Sequence, residues 1–109
     1  MAIKANIVID QGTDYETVIN VTDENGDIVV LTGYTGAAQM RKHYTSSAQT
    51  AFTVTVSAQS GAVTLAMNAA TTNAISAGRY VYDCELRSSA NIVSRLIEGV
   101  VTVTPQVTR

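Results

Sequence analysis

Gly78-Arg79-Tyr80-Val81-Tyr82-Asp83-Cys84-Glu85-Leu86-Arg87 is the stretch whose pattern decides the fold. Tyr80, Tyr82, Cys84 and Leu86 fall on one side, and Val81, Asp83 and Glu85 on the other. That period of two belongs to a half-buried strand over 79–86. Residues 87–91 are small and polar and read as a hairpin loop. Residues 92–104 read as a long final strand, with a bulge expected at Gly99. Pro105 ends it, because proline cannot donate to a ladder.

Upstream, residues 68–77 are Ala-rich, start at the N-cap candidate Asn68 and stop at Gly78. They predict one short helical turn at about 69–75. Before it, Val63, Leu65 and Met67 alternate with small polar residues, and so do Phe52, Val54 and Val56. Ser57-Ala58-Gln59-Ser60-Gly61 joins those two runs as a turn. Residues 34–44 place Ala38 and Met40 on one face, with Lys42 and Tyr44 following the same phase. Gln39, Arg41 and His43 take the other face; the alternation and flanking glycines favour strand over helix.

The first third of the chain repeats the pattern. Residues 3–10 set Ile3, Ala5, Ile7 and Ile9 against Lys4, Asn6 and Asp10. Tyr15, Thr17, Ile19 and Val21 alternate over 15–22. Asn25-Gly26 then predicts a tight hairpin turn with positive φ at both residues, returning through a strand at 28–31. Seven or eight short antiparallel strands with turns every 8–12 residues, and no internal linker, predict one all-β domain over 1–109, a β-sandwich.

Composition agrees. Val, Ile and Thr supply 37 of 109 residues, and these stiff side chains favour strands. With 46% hydrophobic and 15% charged residues the chain can bury a core. By size scaling the fold should expose roughly 5,800 Å² of about 16,700 Å². A net charge of −2 gives no electrostatic footprint for nucleic acid or an anionic membrane. No apolar run approaches a membrane span, and residues 1–6 lack the features of a signal peptide.

Chemistry-bearing residues are sparse. One cysteine and one histidine make neither a disulfide framework nor a structural zinc site. Cys84, in mid-strand among aromatic neighbours, reads as a small buried hydrophobe rather than a nucleophile. His43 has no partner by spacing. Asp23, Glu24 and Asp27 lack the calcium-loop pattern. Asp83 and Glu85 are placed to pair across strands with Arg41, Lys42 or Arg95. Asn20-Val21-Thr22 matches a glycosylation triplet and, without an export signal, reads as chance. No catalytic residue, cofactor or metal is expected. Arg41-Lys42-His43 is the one basic run, either a contact patch or a solvated strand edge.

Several stretches carry a resemblance in their order. They are Asn20-Val21-Thr22-Asp23 with Gly26; Leu31-Thr32-Gly33-Tyr34-Thr35; and Ala38-Gln39-Met40-Arg41. Gly61 with Val63-Thr64-Leu65 and Asn68-Ala69-Ala70-Thr71-Thr72 follow. Ala77-Gly78-Arg79-Tyr80-Val81-Tyr82-Asp83 and residues 95–104, with Glu98-Gly99 inside, complete the set. The layout resembles small structural proteins of tailed-bacteriophage virions. It is similar to the immunoglobulin-like domain at the start of baseplate upper proteins and to short tail or neck proteins.

That resemblance implies an immunoglobulin-like sandwich with no enzyme activity, serving as an attachment module in the virion. It would be a minimal, stand-alone version of that domain. Gly78-x-Tyr80 and Tyr82-x-Cys84 are similar to a tyrosine corner, made by either tyrosine. The absent second cysteine and tryptophan depart from antibody domains. The expected partners are other virion proteins of the tail, neck, baseplate or capsid, with further copies of the chain in the particle. The alternatives are a capsid decoration protein and a host-glycan-binding module, the latter resting on Tyr15, Tyr34 and Tyr44. The candidate contact residues are Lys4, Asn25, Arg41, Lys42, His43, Pro105, Val107 and Arg109. The candidate docking edges are 3–10 and 100–104, and the candidate contact tips are 23–27, 45–50 and 87–91.

Overall fold

The computed structural model describes residues 3–23 and 25–108. The elements run β1 (Ile3–Lys4), β2 (Ile7–Asp10), β3 (Tyr15–Asn20), β4 (Thr35–Arg41), β5 (Thr50–Ser57), β6 (Ala62–Met67), α1 (Ala69–Asn73), β7 (Gly78–Arg87) and β8 (Val93–Thr104). The strands follow the order β1-β8-β7-β4-β5-β6-β3, with β2 also on β8. The expectation of antiparallel strands throughout is corrected at one edge: β1 and β2 run parallel to β8, and the other pairings are antiparallel. The result is a mostly β, mixed sheet curled into a half-barrel.

β5 makes the curl. Its first residues, through Phe52, pair with β4, and from Thr53 onward it pairs with β6. One strand thus turns the sheet around the core. Inside lie Ile9, Met40, Phe52, Val63, Leu65, Met67, Tyr82, Cys84, Leu86, Ile97, Val101 and Val103, all nearly inaccessible. Tyr15, Phe52 and Tyr82 link across this interior, with successive ring centroids 6.5 and 6.2 Å apart. The tilted and edge-on angles suit aromatic quadrupoles.

The curl leaves one side open. The accessible surface is 6862 Å², above the roughly 5,800 Å² expected of a compact chain of this mass. The radius of gyration is 14.5 Å, against about 13 Å for a compact domain.

The alternation over 79–86 is borne out, as are the inward residues of β4, β5 and β6. The helix forms over Ala69–Asn73, with Asn68 capping Thr71 N–H at 2.9 Å. Thr72, fully buried, donates to Thr13 O and ties the helix to the β2–β3 loop.

Six further expectations need correction. The strand at 3–10 is interrupted at Ala5 and Asn6, because Ala5 passes over Gly99. The residue at 99 is glycine for that close approach: a Cβ there would collide with the Ala5 carbonyl. The bulge lies at Leu96 instead, since Cys84 pairs with Ile97 and Glu85 with Arg95.

The segment 28–31 is not a strand. After one bridge between Thr22 and Ile28 it crosses the end of the sheet, and Leu31 N–H reaches Ala58 O. The turn before it is not the expected type. Gly26 has positive φ, and its N–H donates to Asp23 O at 3.0 Å, so the closing bond does not bracket Asn25-Gly26; the Asp23 carboxylate accepts from the N–H groups of Asn25 and Asp27. Asp23 thus anchors the turn through its side chain.

Residues 100–104 are not an edge, because β2 covers one side of β8 and β7 the other. The second edge is β3. Tyr44 does not point inward; the chain leaves β4 at Arg41 and Tyr44 stands 82% exposed.

Candidate functional site

Strand direction sorts the loops into two ends. One end carries residues 21–23, 25–34, 58–61 and 88–92. The other carries 11–14, 42–49, α1 and 105–108.

At the first end the loops adjoin. A Cβ on Gly33 would lie 3.0 Å from Ser89 Cβ, and one on Gly61 would lie 2.7 Å from Ile28 Cγ2. Ser88 organises the β7–β8 loop: its hydroxyl accepts from Ile92 N–H, and its own N–H donates to Ile92 O. Asn91 takes positive φ there, which asparagine tolerates. Ile92 in this tight loop and Val93, the first residue of β8, are 68% and 45% exposed. Ile28 and Val30, in the β3–β4 connection at the same end, are 60% and 59% exposed. The strand reading of 28–31 had hidden the latter pair.

At the other end, Gln11 is a clasp. Its Nε2 donates to Ile75 O at 2.8 Å, and its Oε1 accepts from Gln106 N–H at 3.0 Å. Gly12 packs directly on the Gln106 side chain. The tail is thus tied down to Gln106, and Val107 beyond it is 91% exposed.

On the outer face of β4, β7 and β8 lies a shallow groove of about 150 Å³. Gln39, Arg41, Tyr44, Asp83, Arg95 and Glu98 line it. Arg95 bridges Asp83 at 3.4 Å and Glu98 at 3.6 Å. Of the three cations expected to pair with Asp83 or Glu85, Arg95 makes the contact. Two guanidiniums and two carboxylates leave the groove without net charge. Exposed pairs of this kind are worth about 0–1 kcal/mol each.

The candidate contact residues do not form one patch. Lys4 sits exposed on β1 beside Glu98. Asn25 tops the hairpin at the first end. Arg41 binds the carbonyls of Ser46 and Ser47 and the Gln39 side chain. Lys42 Nζ lies 5.0 Å from the Tyr80 ring centroid, a cation–π contact. His43 closes a turn with Ser46. Pro105 and Val107 are exposed at the second end. Arg109 lies outside the described residues. Of the predicted tips, 23–27 and 87–91 share the first end and 45–50 occupies the second.

Cys84 is buried, and burial first, then the charges of Asp83 and Glu85, push its thiol up to about 11. It stays protonated at neutral pH and is a poor nucleophile. His43, in an exposed turn at the second end, is not brought to it. Among the described residues no His/Cys/Asp/Glu group could hold a metal ion, and no helix is long and apolar enough to cross a membrane.

Tyr80 O–H donates to Ser76 O at 2.6 Å, four residues upstream, whereas Tyr82 O–H reaches Ala5 O at 2.6 Å. Burial raises the Tyr82 phenol to about 12.

No family model and no curated protein matches the chain. Among solved structures, an internalin-like protein of Listeria monocytogenes is similar in fold, with a TM-score of 0.51 and 16% identity. The match covers 94% of this chain and 28% of that one, so this chain spans about a quarter of its length. At that identity the likeness concerns the β fold alone.

Proposed function

We propose that the chain is a non-enzymatic structural module of a tailed-phage virion, in the tail, neck or baseplate, that works through protein–protein contacts. The observation behind this reading is that Ile28, Val30, Ile92 and Val93 all stand exposed at the same end of the sheet. Apolar side chains presented to water at one end offer a contact surface. The virion assignment itself draws on the order of sequence stretches that resembles phage attachment modules. The finer fold reading is an immunoglobulin-like sandwich. The strand order supports it, and so does the Tyr80–Ser76 bond, which has the form of a tyrosine corner.

The test counts this chain against the major capsid protein in purified particles by quantitative mass spectrometry. A few to a few dozen copies support a tail, neck or baseplate module. A ratio near one to one supports the alternative of a head decoration protein. Absence from particles overturns the reading. Ile92→Asp sharpens it: incorporation should fall while folding, read by circular dichroism, is kept.

A further inference from the structure

We infer that the free edge of β3 docks a second copy of this chain, by antiparallel β3–β3 pairing about a two-fold axis at Val18. This concerns the isolated domain and does not depend on the virion reading.

One bond sets the backbone phase of β3. Val21 N–H donates to Gly61 O at 2.7 Å, continuing the β3–β6 register. In an antiparallel ladder the hydrogen-bonding groups alternate sides. Tyr15, Thr17 and Ile19 therefore turn their N–H and C=O groups toward β6. Glu16, Val18 and Asn20 turn theirs away, where the strand order has no further neighbour among the described residues. Those three residues offer about six hydrogen bonds to an added strand centred on Val18.

The edge is lightly guarded, with Glu16 as its one charged residue. β3 has no proline, lysine or bulge, and its six residues pair with β6 in unbroken register. These are the features that ordinarily block edge-to-edge pairing. Its inward side chains Tyr15, Thr17 and Ile19 are only half-buried, so an added strand would cover them.

Self-complementarity selects a second copy as the occupant. With Val18 opposite the second copy's Val18, Glu16 lies opposite the second copy's Asn20, twice by symmetry. The strand's one carboxylate then meets an amide. Centring the axis on Glu16 would instead set two carboxylates face to face, which is destabilising. The neighbouring outer face carries Thr53, Thr55, Thr64 and Ala66 and adds no charge. Asp14, which falls opposite the second copy's Thr22, already accepts from Ala69 N–H at 2.7 Å.

Sedimentation equilibrium of the full chain up to millimolar concentration tests this. Val18 is 52% exposed on the outer face, so Val18→Lys and Val18→Glu should fold normally. Each alone should weaken the dimer about fivefold or more, because two like charges meet on the axis. An equimolar mixture should restore dimer as the heterodimer. A wild-type chain that stays monomeric at millimolar concentration overturns the inference. So does a dimer indifferent to Val18→Lys, or a mixture no more associated than either variant alone.

Discussion

At the β1–β2 edge, side chains replace a broken ladder. Asn6 Oδ1 accepts from Val100 N–H at 3.1 Å, Tyr82 O–H donates to Ala5 O, and Gly99 leaves room for the crossing chain. At the β3 edge, six residues run in unbroken register with β6, and only their inward side chains, Tyr15 and Ile19 among them, pack on the core. The first edge is irregular, locked from within and carries Lys4. The second is regular and open. An interrupted edge is a poor template for another strand, and a regular one is a good template. The difference therefore separates an edge committed to this chain's own stability from one free for a partner.

The comparison can be broken most sharply at Gly99. Gly99→Ala drives a methyl into the Ala5 carbonyl and should cost about 2–3 kcal/mol, the scale of overpacking at a site that cannot yield easily. Urea unfolding measures the loss. Hydrogen exchange should show β1 and β2 opening while β3 keeps its protection. Equal opening of both edges would mean that the first edge is not separately locked.

Tyr82→Phe removes the phenol that holds Ala5 and leaves that carbonyl without its donor. The expected cost is about 1–2 kcal/mol in the same unfolding measurement. Alkaline titration probes the same lock. The folded-state pKa values of Cys84 and Tyr82 are raised from 9.0 to about 11 and from 10.0 to about 12. Above the ordinary values the unfolded chain loses these protons first, so the folded state is disfavoured as pH rises. Stability should hold up to about pH 9 and fall between there and pH 12. Cys84→Ala should remove the earlier part of that fall.

Asn6→Ala should cost about 1 kcal/mol, since the exposed Val100 N–H can turn to water. The smallest effect belongs to the open edge. Val18→Thr, outward and without an internal contact to lose, should change monomer stability by less than about 0.5 kcal/mol. A larger loss would show that β3 has internal support.

Much of the fold was legible where one face of a strand is buried. Tyr80-x-Tyr82-x-Cys84-x-Leu86 and Val63-x-Leu65-x-Met67 could not slip by one residue without turning their apolar set into water. Asn68 announced its helix because a short polar side chain suits an N-cap. The exposure of Ile28 and Val30 was not legible, because Ile28-Val29-Val30-Leu31 has strand composition. Whether such a run finds a ladder depends on where residues 58–61 lie, thirty positions away. Gly99 was noticed as a special position, yet the chain that requires it comes from Ala5.

Local periodicity by itself determined the β class, the inward faces of β4 to β7 and the burial of Cys84. It could do so because burial of a strand face is written in every second residue. Only the tertiary structure decided that β5 bends the sheet into an open half-barrel, that β1 and β2 run parallel beside β8, and that β3 is left as the free edge. Those outcomes depend on backbone groups meeting across long separations. Every non-proline residue carries the same N–H and C=O, so side-chain identity does not reveal which strand they will find.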